Sequence, residues 1–132
     1  MKIENIKYKA KRLDNQEWVC GYFLEENGNT YIIENRQKES MLNRNVTYEV
    51  DPSTVCQFTG EKDMNGKDIY IGDIISNLGT GSVIEVVWNN RMKMLDCKFL
   101  NGTKVCFDIP FGTFVARYKR IVVVGNKFDK EK

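Results

Sequence analysis

Polar and apolar positions alternate along this chain in short runs, and turn residues separate the runs. Ile3, Ile6, Tyr8 and Ala10 open a loosely alternating stretch that ends at Arg12-Leu13, and Asp14-Asn15 reads as a turn. Residues 18–24 predict a second strand, and Gly21 inside it signals a bulge or a close backbone approach. Asn27-Gly28 is a hairpin signal, and Tyr31-Ile32-Ile33 supplies the third strand. The first third therefore predicts a three-stranded antiparallel meander. Residues 35–45 are polar and read as an exposed loop. Residues 46–50 form a short strand stopped by Asp51-Pro52, after which Pro52-Ser53-Thr54 opens one helical turn or a tight corner. Residues 54–61 read as a loop.

The second half repeats the pattern. Residues 67–70 lead through Gly72-Asp73 into Ile74-Ile75. Gly79-Thr80-Gly81 turns the chain into a Val/Ile-rich strand at 82–88, and Asn89-Asn90 turns it again into 94–100. Asn101-Gly102 predicts a further hairpin into 103–109. Pro110-Phe111-Gly112-Thr113 reads as a corner, 121–124 as the last strand and 125–132 as a polar tail. Nowhere does a 3.6-residue period persist long enough for a long helix. Short strands at a spacing of roughly 8–12 residues predict a small β-barrel or sandwich. The seam falls at residues 59–66, giving one domain, 1–132, with an N-terminal β-meander lobe (1–58) and a C-terminal lobe (59–132).

Composition narrows the function. An apolar content of 42% suffices for a core. No apolar run approaches the ~18–20 residues of a membrane span, and the first residues lack the apolar block of a secretory signal. The expectation is a cytoplasmic protein with no membrane association. Histidine is absent. That removes Ser-His and Cys-His nucleophile pairs and most catalytic zinc sites, so no enzyme, no catalytic residue and no cofactor are expected.

The net charge of +2 is unevenly placed. Residues 1–15 carry five Lys/Arg against two acids, and residues 111–132 carry six against two. Residues 16–110 carry nine against fourteen. Basic ends and an acidic middle can pair between copies. They can also meet nucleic acid, although affinity there scales with the number of phosphates neutralised.

Several constellations carry candidate chemistry. Gly72 permits a positive φ at a strand entry, and Asp73 can accept backbone N–H bonds there. The alternative is a ligand-facing barrel loop. Gly79-Thr80-Gly81-Ser82 could cradle a phosphate, but it lacks the Gly-Lys-Ser/Thr ending of a P-loop. Asp63-x-Asn65-Gly66 is a fragment of a calcium loop without its later ligands, so a structural turn is expected and no metal. A two-residue Asn101-Gly102 loop would set Cys97 opposite Cys106 as a non-hydrogen-bonded pair, close enough to consider a disulfide. The compartment argues for reduced thiols instead. Residues 111–120 interleave Phe111, Phe114 and Tyr118 with Arg117, Lys119 and Arg120. This is the best candidate binding surface, for protein or for single-stranded nucleic acid. The structural reading places the aromatics in the core.

Three segments together resemble the YopX family of phage and prophage proteins. The centre runs Val55-Cys56-Gln57-Phe58-Thr59-Gly60, then Asp63-Met64-Asn65-Gly66-Lys67, then Ile69-Tyr70-Ile71-Gly72-Asp73-Ile74-Ile75. The opening Trp18-Val19-Cys20-Gly21, the strand Val86-Val87-Trp88 and the ending Val122-Val123-Val124-Gly125-Asn126-Lys127-Phe128 fit the same pattern. Cys56 and Glu61 depart from it. The resemblance implies a small cytoplasmic protein of phages or prophages in a bacterial host, with an SH3-like C-terminal β-barrel and self-association. It implies Gly60, Asn65, Gly66, Gly72 and Asp73 as a structural turn motif, and no catalytic residues. The combined expectation is a mainly β, non-enzymatic accessory protein. It would act as a homo-oligomer or on a phage or host protein, with nucleic-acid binding through 111–120 as the alternative.

Overall fold

A computed structural model of the chain describes residues 7–35, 45–100 and 110–129. The chain divides into two units, 1–58 and 59–132.

In the first unit, β1 (Tyr8–Lys11), β2 (Trp18–Glu26), β3 (Asn29–Asn35) and β4 (Asn45–Val50) follow one another, and β5 (Cys56–Lys62) begins before the unit ends. Their spatial order is β4-β3-β2-β1-β5, with antiparallel neighbours. The β2–β3 register pairs Glu26 with Asn29, so Asn27-Gly28 is a two-residue turn. Both turn residues have positive φ, 54° and 82°, the requirement that selects Asn-Gly in such hairpins. Alternation along the strands turns Ala10, Val19, Ile32 and Val50 into one cluster, flanked by Tyr8, Tyr48 and Val55. The far ends of β1 and β4 also meet. Arg12 bridges Val50, the Leu13 N–H donates to the Glu49 carbonyl at 3.1 Å, and the Asp51 N–H donates to the Lys11 carbonyl at 2.9 Å. Pro52–Thr54 forms a single 3-10 turn, with Asp51 accepting from the Ser53 N–H as its cap. Thr54 Oγ1 fastens that turn to the Lys11 N–H at 2.9 Å.

Strand β5 stands where the sequence predicts a loop, at 54–61. The alternation is present once the strand is known, because Cys56 and Phe58 are buried while Gln57 is exposed. Thr59-Gly60 masks it, since a glycine beside a threonine reads as turn chemistry.

In the second unit β6 (Asp68–Tyr70) lies beside β5, and Thr59 Oγ1 donates to the Ile69 carbonyl at 2.7 Å. The main sheet comprises β7 (Asp73–Asn77), β8 (Val83–Asn89), β9 (Met94–Phe99) and β10 (Ile121–Asn126), in the order β10-β7-β8-β9 and antiparallel throughout. Among the described residues this sheet does not close into a barrel. Ile69, Ile75, Ile84, Val86, Cys97 and Ile121 form its core together with Phe111 and Phe114.

Those two phenylalanines belong to a helix, α1 (Phe111–Arg117), where the sequence predicts a corner. Spaced three apart, they share one helical face, and burying that face stabilises a segment too short to show a sustained period. Pro110 fits just before the first turn, where its missing N–H costs nothing. The expected Asn101-Gly102 hairpin, Cys106 and residues 36–44 of the expected 35–45 loop lie outside the described residues, while Asn35 and Asn45 pair as ends of β3 and β4.

Candidate functional site

Three carboxylates of the second unit are buried, and each is occupied by hydrogen bonds of the fold. Asp73 is fully buried. One of its oxygens accepts the Tyr70 N–H and the other accepts the Asn126 side-chain amide, both at 2.8 Å. Gly72, at φ +99°, brings its N–H to the Val86 carbonyl at 2.7 Å and its own carbonyl to the Lys127 N–H at 3.0 Å. A side chain would resist that φ. Asp63 accepts the N–H groups of Asn65 and Lys67 on Oδ1 and that of Val123 on Oδ2, all at 2.9 Å. Burial opposes ionisation of Asp63, but the three N–H donors outweigh it and hold its carboxyl below the ordinary range. Asp96 accepts from the Asn89 side-chain amide at 2.9 Å and from the Cys97 N–H. Gly60 lies exposed within β5, and Asn65-Gly66 form the exposed β5–β6 turn.

The turn at 79–82 is equally self-contained. The Gly79 N–H donates to Asn77 Oδ1 at 3.0 Å, the Gly81 N–H to the Asn77 carbonyl at 2.7 Å and the Ser82 N–H to Thr80 Oγ1 at 3.3 Å. The donors a phosphate would use are engaged inside the turn. Among the described residues, no group of three His, Cys, Asp or Glu gathers to hold a metal ion.

The segment 111–120 splits into an inner and an outer side. Phe111 and Phe114 are each 1% exposed. Tyr118 packs on Phe114, with ring centroids 5.1 Å apart, and is only partly exposed. Arg117, Lys119 and Arg120 face solvent. The core takes up both phenylalanines, as the structural reading of the segment expects, while the three cations stand exposed and Tyr118 is partly so.

Charge is where sequence reasoning missed most. The basic residues that begin the first unit lie over aromatic rings. Lys7 sits 4.6 Å from the Phe58 ring centroid, Lys9 and Lys11 sit 4.8 and 5.4 Å from that of Trp18, and Arg12 sits 4.5 Å from that of Tyr48. Such contacts favour the cation, and Lys9 and Lys11 are buried. Arg12 also makes two bonds to Asp14, at 2.9 and 2.6 Å. That contact raises the Arg12 pKa and lowers that of Asp14. A shallow cleft of about 260 Å³ lined by Arg12, Leu13, Asp14, Thr47, Tyr48 and Glu49 therefore presents a cation that is already engaged. By contrast Glu17, Glu25, Glu26 and Glu49 are exposed. In the second unit the pattern reverses. Its buried acids are Asp63, Asp73 and Asp96, while Arg91, Lys93, Arg117, Lys119 and Arg120 are exposed and make no ion pair among the described residues. The sequence signal for the first half was the alternate spacing of Lys7, Lys9 and Lys11, which puts Lys9 and Lys11 on one face of β1 beside Trp18.

A family model described as YopX protein matches residues 7–131. The chain belongs to the YopX protein family. No curated protein matches it. In this YopX-family chain Asp63, Gly72, Asp73 and Asn126 build the hydrogen-bonded frame of the second unit. Among the described residues no helix is long and apolar enough to cross a membrane.

Proposed function

We propose that this YopX-family chain is a non-catalytic phage or prophage accessory protein, working in the bacterial cytoplasm by assembling with copies of itself or with a protein partner. The observation that carries this reading is the partition of exposed charge among the described residues: Arg91, Lys93, Arg117, Lys119 and Arg120 on the second unit, outside any ion pair there, and exposed glutamates on the first. Support also comes from the buried carboxylates Asp63, Asp73 and Asp96, whose oxygens are engaged by hydrogen bonds of the fold. The same reading takes the first unit as an antiparallel meander and the second as an SH3-like lobe whose four described strands form an open antiparallel sheet. Exposed charge attracts over about 30 Å at 0.01 M salt and about 3 Å at 1 M. Sedimentation velocity across that range is therefore expected to show association that weakens as salt rises. A monomer at every salt concentration would remove the self-assembly mechanism.

A second reading, nucleic-acid binding, is favoured by one observation: the exposed, unpaired Arg117, Lys119 and Arg120. With Phe111 and Phe114 buried, such binding rests on phosphate contacts. Replacing the three cations with Ala is then expected to abolish binding to single-stranded DNA at low salt. Each lost contact would reduce the logarithmic salt slope by about 0.7. Absence of binding by the unsubstituted protein at low salt would end this reading.

A further inference from the structure

Two hairpins of this chain have complementary surfaces. The β2–β3 hairpin carries Tyr22, Phe23 and Leu24, exposed at 45%, 42% and 39%, followed by Glu25 and Glu26. No cation lies between Tyr22 and Tyr31. The β8–β9 hairpin carries Trp88 and Met92, exposed at 50% and 62%, together with Arg91 and Lys93. No acid lies between Trp88 and Leu95. On β2, Tyr22, Leu24 and Glu26 share one face, while Phe23 and Glu25 lie on the other, with the Phe23 ring centroid 5.5 Å from that of Tyr8. The two hairpin ends carry opposite charge, Glu25 and Glu26 on one and Arg91 and Lys93 on the other.

Both tips are also held in shape. The β2–β3 turn is the two-residue Asn27-Gly28 loop closed by the Glu26–Asn29 pair. In the β8–β9 turn, Asn89 Oδ1 accepts the N–H groups of Arg91 and Met92, both at 3.0 Å, and Asn89 Nδ2 donates to buried Asp96. Docking such tips costs little ordering. Exposed aromatic and methionine side chains ringed by charge are the composition of an interface centre.

We infer that the acidic β2–β3 hairpin of one copy docks on the basic β8–β9 hairpin of a second copy. This rests on the self-assembly reading above and gives it a specific interface. The two surfaces differ, so each copy carries both halves of the contact.

The test is charge reversal in the full chain, read by sedimentation velocity at low salt. One variant carries Glu25→Lys with Glu26→Lys; the other carries Arg91→Glu with Lys93→Glu. The unsubstituted chain is expected to assemble. Each variant alone is expected to bind itself at least about tenfold more weakly, because like charges then meet. Their equimolar mixture is expected to reassemble, which also shows that both variants are folded. Undiminished assembly of both variants would overturn the hairpin contact and leave the self-assembly reading standing. A monomeric unsubstituted chain at every salt concentration would overturn both. Assembly lost in the Arg91/Lys93 variant but kept in the Glu25/Glu26 variant, or no recovery on mixing, would assign the basic hairpin to another acidic occupant and overturn the inference.

Discussion

Replacing Gly21 with Ala is expected to destabilise the first unit by about 3 kcal/mol or more, at the upper end of what inserting a methyl group into a packed site costs. A Cβ at this position would lie 2.1 Å from the Ile33 carbonyl oxygen, 2.8 Å from the Ile33 carbonyl carbon and 3.2 Å from the Glu34 Cα. All three atoms are backbone, so no side chain can rotate away. Relief requires β2 and β3 to separate beside the Tyr22–Ile33 pair, and β2 is also held on its other side, where Gly21 pairs with Tyr8. Gly28→Ala is the control. Its Cβ would meet nothing within 4 Å, and only its φ of +82° opposes a side chain, a cost of about 1–2 kcal/mol. Urea unfolding of both variants, followed by Trp18 fluorescence, separates the two effects. A Gly21→Ala loss no larger than that of Gly28→Ala would show that the sheet absorbs the methyl group.

That close approach was legible in the sequence, because a glycine within an otherwise bulky strand, Trp-Val-Cys-Gly-Tyr-Phe-Leu, marks a place where a side chain does not fit. The Asn27-Gly28 turn was legible for a related reason: few residue pairs tolerate two positive φ values in succession. Period-two alternation located most of β2, β3, β8 and β10. The alternation failed where two signals competed. In β5 the Thr59-Gly60 pair spoke for a turn and concealed a strand. At 110–117 a proline and a glycine spoke for a corner, while burial of Phe111 and Phe114 on one face produced a helix. Local propensity is a weak prior wherever a core can recruit the segment.

The candidate surface was less legible, for a physical reason. Charge counted along a chain says nothing about where the charge is spent. Lys9 and Lys11 contribute to a basic N-terminal stretch in the sequence, yet they lie buried beside Trp18. Asp63, Asp73 and Asp96 contribute to an acidic middle, yet they are buried and bonded by N–H groups of the fold. Leaving these out narrows the contrast: residues 1–15 keep three Lys/Arg against two acids, and residues 16–110 keep nine against eleven. Among the described residues the first unit exposes Glu17, Glu25, Glu26 and Glu49, and the second exposes Arg91, Lys93, Arg117, Lys119 and Arg120. The segments that resemble the family were also legible, but what Asp63 does within them is visible only from geometry. Asp63 and Val123 are 60 residues apart, and so are brought together only by the fold.

Asp63 is the residue of that frame with the largest expected effect. It fixes its own turn through Asn65 and Lys67, and it reaches the edge strand β10 through Val123. The neighbouring Met64 N–H adds a bond to the Ile121 carbonyl at 3.0 Å, so the turn and the strand are joined twice. Asp63→Ala removes one acceptor from three backbone donors at a site only 7% exposed. The expected loss at neutral pH is about 3 kcal/mol, since bonds to a charged acceptor are worth more than neutral ones. The effect depends on pH with a defined sign. Burial raises the Asp63 pKa, the N–H donors lower it further than burial raises it, and the folded value lies below the ordinary one. Its contribution is therefore full above the unfolded pKa of about 3.9 and is lost as pH falls through the folded value. Asp14 and Asp51 also have lowered pKa values, but both chains share them, so the difference between chain and variant isolates Asp63. Urea unfolding followed by Trp88 fluorescence is expected to show a constant difference from pH 7 to about 5 that shrinks below about 4. A difference that persists unchanged into strong acid would show that the carboxylate charge is irrelevant. No difference at pH 7 would show that β10 is held by the sheet alone.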